Sequence, residues 1–195
     1  MRLFFIIIGA TLIAQDCLAQ QTAEDFYRSA QEKLQVGDTS GAIAACTQAL
    51  AINPYYAEAF NGRGVIKYLT KDYAGAIACY TQAIRLNPYD AKLYYNRGLI
   101  QAKLEEFEMA ILDFTQAIRL KRDYAEAYLA RGLVKGAVDD SECEINDYTQ
   151  AIKIKADYIE AYLNRSQAYS ELDYHQAAMA DYTKANSLKA ATAVP

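Results

Sequence analysis

The stretch Ala57 to Asp90 is written again at once as Ala91 to Tyr124, an interval of 34 residues. Stepping by that interval in both directions divides 23–192 into five units: 23–56, 57–90, 91–124, 125–158 and 159–192. Residues 20–22 are a short leader and 193–195 a tail. A fixed period of this length leaves a 195-residue chain little choice of architecture. No such unit buries a core alone, so its neighbours must supply one, and the product is a solenoid with one continuous core.

Each unit divides into two helices joined by a tight turn. In the second unit the apolar residues recur at steps of three and four, the period of an amphipathic helix, over about Ala57–Thr70 and Ala74–Leu86. Lys71-Asp72 makes the turn, and Asn87-Pro88 stops the second helix because proline cannot continue one. No segment alternates with period two, so the expected class is all-α.

Numbering the positions of a unit 1 to 34 shows what repeats. Position 4 is always aromatic: Phe26, Phe60, Tyr94, Tyr128, Tyr162. Position 8 is always small: Ala30, Gly64, Gly98, Gly132, Ser166. Position 20 is Ala42, Ala76, Ala110, Glu144, Ala178, and position 24 is Cys46, Tyr80, Phe114, Tyr148, Tyr182. Position 27 is alanine throughout, and Pro54 and Pro88 stand at position 32. Small residues let antiparallel helices approach, and aromatics fill the space between hairpins. This pattern resembles the tetratricopeptide repeat family over 23–192. The resemblance implies a right-handed α-solenoid of five antiparallel helix hairpins with a concave inner face, working as a non-enzymatic protein-interaction scaffold.

The chain departs from the family pattern in places. Position 32 is Arg122, Ala156 and Ala190 in the last three units. Position 11, usually large and apolar in the family, is Lys33, Lys67, Gln101 and Lys135 before Tyr169. The fourth unit has Asp139, Asp140, Ser141 and Glu142 at its turn and Glu144 at position 20; these four carboxylates read as a solvated acidic turn, since no calcium-loop geometry is present.

Position 7 carries Arg63, Arg97, Arg131 and Arg165, and position 23 carries Asp113, Asp147 and Asp181. The two positions lie equally far from a turn near position 15, so they should face each other across a hairpin. Three ion pairs follow: Arg97–Asp113, Arg131–Asp147 and Arg165–Asp181. Arg63 faces Cys79 and lacks an acidic partner. The alternative, an arginine ladder gripping an anion, conflicts with the matched carboxylates.

The N-terminus follows another logic. Arg2 precedes twelve apolar residues, Leu3 to Ala14, and Cys17-Leu18-Ala19 offers small residues before Gln20. That is the layout of a secretory signal peptide over 1–19, giving an exported, periplasmic or secreted protein. The run is short for a membrane span, which takes about 20 residues, so an uncleaved anchor is the weaker alternative. Asp16 before Cys17 speaks against lipid attachment at that cysteine. Cys46, Cys79 and Cys143 then form neither a disulfide framework nor a metal spacing.

Function must come from surfaces. The single histidine, His175, cannot build a His-based triad or a His-pair metal site, and no glycine-rich phosphate loop is present, so neither catalysis nor a cofactor is expected. A net charge of −4 gives no basic footprint for nucleic acid. The resemblance places the concave face at positions 2, 5, 6, 9, 12 and 13 of the first helices. On this chain these are Tyr27, Arg28 and Gln31; Asn61, Val65 and Tyr68; Lys92, Tyr95, Asn96 and Leu99; Leu129 and Leu133; and Leu163, Asn164 and Gln167. Aromatic and aliphatic groups interleaved with amides suit an extended peptide, the amides meeting its backbone. The family's carboxylate-clamp subgroup has Lys and Asn where this chain has Tyr27 and Gln31, so that mode is not implied. A second reading has the array self-associate through its ends, where Met179 and Tyr182 lack a following unit.

Overall fold

The computed structural model describes residues 21–138 and 141–192. Ten helices follow in order: α1 Ala23–Gln35, α2 Thr39–Ile52, α3 Ala57–Leu69, α4 Tyr73–Leu86, α5 Ala91–Lys103, α6 Phe107–Leu120, α7 Ala125–Gly136, α8 Ser141–Ile154, α9 Ile159–Glu171 and α10 His175–Thr192. The first helices start at 23, 57, 91, 125 and 159, in step with the period. Each helix packs on its neighbours in the chain, and α1 touches α3, as α5 touches α7 and α7 touches α9. The chain is an all-α solenoid. The signal segment 1–19 lies outside the described residues, as do Asp139 and Asp140 of the acidic turn.

Local chemistry sets the helix ends. Thr22 and Asp25 form a reciprocal capping box at α1. The Asp38 and Asp72 carboxylates accept from the Gly41 and Gly75 amides at 2.8 and 2.9 Å, capping α2 and α4. The hairpin turns pass through the left-handed region at Gly37, Lys71, Glu105 and Asp173, all at position 15. α2 and α4 end before Asn-Pro, yet α6 and α8 end at the same position before Lys121-Arg122 and Lys155-Ala156. The turn therefore does not require its proline. The last helix, α10, is the longest of the described helices at 18 residues and runs to Thr192.

The core is built from one contact used three times. A Cβ added to Gly64, Gly98 or Gly132 would stand 3.1, 2.8 or 2.6 Å from the ring of Tyr80, Phe114 or Tyr148. Each ring lies on its own hairpin's glycine, and the rings are at most 3% exposed. Position 27 contributes Ala49, Ala83, Ala117, Ala151 and Ala185, all fully buried. Hairpins join through positions 3 and 10 of each first helix, which dock on the second helix before them. Leu93 and Ile100 meet Ala76, Tyr80 and Ala83 in this way, and Ala161 and Ala168 meet Tyr148 and Ala151. In α1 the same positions hold Asp25 and Glu32. At the other end Tyr182 and Met179 stay 53% and 66% exposed.

Charge stitches this core together. Arg97, Arg131 and Arg165 grip Asp113, Asp147 and Asp181 through Nε and Nη2 at 2.6–2.9 Å, the bidentate geometry of a strong pair. The hydrogen bonds that Arg97 and Arg165 donate to Asp113 and Asp181 push these guanidiniums above their ordinary range. The Nη1 of each arginine donates backwards, to Thr81, Thr115 and Thr149 of the preceding hairpin, at 2.9–3.0 Å. The guanidiniums also lie over the position-4 rings of Tyr94, Tyr128 and Tyr162.

This network explains the polar residues at position 11. Lys135 Nζ reaches Asp147 at 3.0 Å. Gln101, with its amide nitrogen turned toward acceptors, donates to Asp113 at 2.8 Å. Lys33 and Lys67 pair with the capping Asp38 and Asp72. Glu144 corrects the expectation of a fully solvated acidic turn: it is 5% exposed and accepts from the Tyr148 hydroxyl.

Asp147 is fully buried against Arg131 and Lys135, and its removal strands two cations. Asp147→Ala is expected to cost about 3–5 kcal/mol in urea unfolding. Arg63→Ala, which breaks no ion pair among the described residues, should cost clearly less, and equal losses would contradict the stitching role. Desolvation raises the Tyr80, Tyr124 and Tyr158 phenols to about 12. The unfolded chain ionises these groups near 10, so stability is complete below pH ~10 and is lost as pH rises toward 12. A melting temperature that stays flat from pH 9.5 to 12 would refute this.

Candidate functional site

The first helices present the residues expected to form a groove, and the structure sorts these by depth. Position 9 faces outward: Gln31, Leu99, Leu133 and Gln167 are exposed, with Val65 half-buried. Arg28, Lys92 and Tyr68 are also exposed, while Asn61, Asn96, Leu163 and Asn164 are half-buried. Arg28 is held near Asp25 at 3.6 Å. Position 5 lies deeper. Tyr27 stands edge-on to Tyr56 with ring centroids 5.5 Å apart, and Tyr95 lies 5.0 Å from Tyr124 and 5.9 Å from Phe114. Leu129 is corrected outright: it is 4% exposed and packs with Tyr148, Ala151, Ala161 and Ala168. A leucine there points into the joint between two hairpins rather than into a groove.

Two cavities gather expected residues between neighbouring first helices. The one between the first and second hairpins has a volume of about 150 Å³ and is lined by Tyr27, Gln31, Leu34, Asn61 and Val65, over a floor of Ala30 and Cys46. Asn61 Oδ1 is buried and accepts no hydrogen bond among the described residues. The other, of about 170 Å³, lies between the fourth and fifth hairpins. There Leu133, Asn164 and Gln167 meet Glu144 and Glu171. Asn164 donates to the Glu160 carbonyl, and Gln167 donates to Glu171 at 3.0 Å, so this second pocket is already knitted internally.

The arginines are structural. Each of Arg97, Arg131 and Arg165 spends three donors on Asp and Thr, leaving little for an anion. Arg63 has no carboxylate partner among the described residues; its Nε points at Cys79 Sγ at 3.4 Å and its head lies 5.2 Å from the Phe60 ring centre. Burial pushes the Cys46 thiol up to about 11, so it is no ready nucleophile. Among the described residues no group of three His, Cys, Asp or Glu is placed to hold a metal ion, and no helix is long and apolar enough to cross a membrane.

The threonine stitch escaped the sequence reading. Thr47, Thr81, Thr115, Thr149 and Thr183 recur at position 25, so the signal was present. Its partner lies in another hairpin, and spacing within one unit cannot reveal that.

Known proteins place this architecture. A model described as a TPR repeat matches residues 66–105, and tetratricopeptide repeat models match 91–124 and 159–192. No curated protein matches the chain. Among solved structures, MamA is 27% identical with a TM-score of 0.81, the match covering 84% of this chain and 96% of that one. The structure of YrrB, described as a TPR protein with an unusual peptide-binding site, is 19% identical with a TM-score of 0.74, covering 91% of both chains. The first TPR domain of Spaghetti (RPAP3), bound to the HSP90 peptide SRMEEVD, is 27% identical with a TM-score of 0.59, covering 60% of this chain and 93% of that one. With its repeating glycine-on-ring hairpins, three matching repeat models and these structural likenesses, the chain belongs to the tetratricopeptide repeat proteins.

Proposed function

We propose that the protein is an exported, non-enzymatic scaffold that holds a peptide or protein segment along the surface of its first helices. The observation that carries this reading is the outward row at position 9, where Leu99 and Leu133 stay 37% and 42% exposed beside the amides of Asn96, Asn164 and Gln167. Exposed aliphatic side chains flanked by amides supply apolar contacts and backbone hydrogen bonds at once, as extended peptides require. The RPAP3 domain, bound to its peptide, supports the same use of the fold. A terminal carboxylate is not the expected ligand feature, because Tyr27 and Gln31 replace the cations and amides of the clamp.

The test is affinity capture from the protein's own cell envelope with wild type and with Asn96→Ala/Leu99→Ala/Leu133→Ala. These side chains are exposed or half-buried, so the melting temperature should hold while the captured partners fall away; an unchanged set refutes the groove. Export predicts that the protein recovered from the envelope begins at Gln20, read by intact mass, and a chain that keeps residues 1–19 refutes cleavage.

A second reading is favoured by Met179 and Tyr182, which stand exposed at positions that earlier hairpins cover. Pairing of two copies through α10 would bury them. Light scattering of wild type and Met179→Glu/Tyr182→Glu decides: a dimer that becomes a monomer supports pairing, and a monomer in both excludes it.

A further inference from the structure

The cavity between the first two hairpins exists because one ring is missing. Position 24 carries a buried ring in the second, third and fourth hairpins, but the first has Cys46. Position 8 changes with it. Where a ring is buried the facing residue is glycine, because a Cβ would stand only 2.6–3.1 Å from it. In the first hairpin that residue is Ala30. Ala30 and Cys46 are 2% and 0% exposed and do not fill the volume of a tyrosine ring, so a hole of about 150 Å³ opens above them toward the first-helix surface. An apolar cavity of that size holds a benzene-sized group. Its wall is apolar, with Tyr27, Leu34 and Val65, and Tyr27 can lie so close to α3 only because Gly62 offers no Cβ, which would stand 2.7 Å from the ring. One wall atom is different. Asn61 Oδ1 is buried and accepts nothing among the described residues, which is unfavourable unless a donor arrives.

We infer that this hole is the anchor pocket of the groove. It takes one large apolar side chain, leucine or phenylalanine, of an extended peptide, and Asn61 Oδ1 receives a backbone N–H of that peptide. The inference rests on the scaffold reading and specifies its ligand. A hydrocarbon alone would satisfy the hole but not Asn61; a peptide satisfies both. Gln31, exposed at the rim, is the nearest amide for a second backbone contact. The ring absent from the protein's own first hairpin is thus supplied by the partner.

The test uses the blocked pentapeptides acetyl-Gly-Ser-X-Ser-Gly-amide, with X as Leu, Phe, Ala or Asp, titrated into the full chain. Val65 methyl and Gln31 side-chain amide signals are followed by NMR. Leu and Phe peptides should shift them saturably, the Ala peptide should bind about tenfold more weakly, and the Asp peptide should not bind. Ala30→Gly/Cys46→Tyr rebuilds the packing of the later hairpins and closes the hole; it should melt no lower than wild type and lose the shifts. If that variant fails to fold, Asn61→Leu gives the second reading, with at least tenfold weaker binding of the Leu peptide expected. Equal binding of Ala and Leu peptides, retained shifts in the filled variant, or toluene binding as tightly as the Leu peptide would each overturn the inference. Shifts confined to α5 and α7 would sink the pocket and leave the groove standing. No shift anywhere, with partner capture unchanged in the Asn96/Leu99/Leu133 variant, would remove the scaffold reading itself.

Discussion

The hairpins depend on a side chain that is absent. Gly64, Gly98 and Gly132 let a tyrosine or phenylalanine ring settle on helix backbone, and the rest of the packing takes its spacing from that contact. Any larger residue would push two helices apart by a methyl group, and close-packed interiors respond to such a change with strain rather than give. The fully buried alanines at position 27 hold the partner helix at the matching distance. Where the ring is missing the spacing remains, because the alanines and the neighbouring hairpins still set it, and the result is a cavity rather than a collapse.

The charged network joins what the rings separate. Each stitching arginine reaches sixteen residues forward to an aspartate of its own hairpin and sixteen back to a threonine of the one before. One guanidinium thereby fixes both the closing of a hairpin and its register on the preceding hairpin. Arg63 shows the network fading toward the N-terminal end, where a thiol replaces the carboxylate and Ser29 and Ala45 carry no charge at all. The first two hairpins thus rely more on apolar packing than the last three, and it is between them that the open apolar cavity lies.

The fold was legible because every informative contact within a hairpin is fixed by distance from one turn. Arg97 and Asp113 could be paired on paper for that reason, whereas the aromatics were expected between hairpins and Phe114 instead lies on Gly98 of its own hairpin. Contacts between hairpins were not legible, since they depend on how units rotate against each other. Thr81 was missed on that account, and Leu129 was placed on a surface when it lies inside a joint. The candidate groove was legible as a row of positions but not by depth: position 9 faces out, while position 5 is shared between the surface and the core. The cavity at Cys46 was visible only as a missing aromatic, and the sequence has no way to say whether a missing ring leaves a hole.

Asp25 and Glu32 occupy the docking positions that later first helices fill with Ala59, Leu93, Ile66 or Ile100. A repeat protein always carries the surface on which one more repeat would sit, and a second molecule offering the right face could sit there instead. Head-to-tail addition of that kind builds a ring where the rotation closes and a fibre where it does not. Here it would bring the carboxylates of Asp25 and Glu32 onto the face that exposes Tyr182 and Met179, and taking charge out of water against apolar groups is costly. The opening turns of α1 therefore do more than begin a helix: their charge disfavours the stacking of one copy on the end of another.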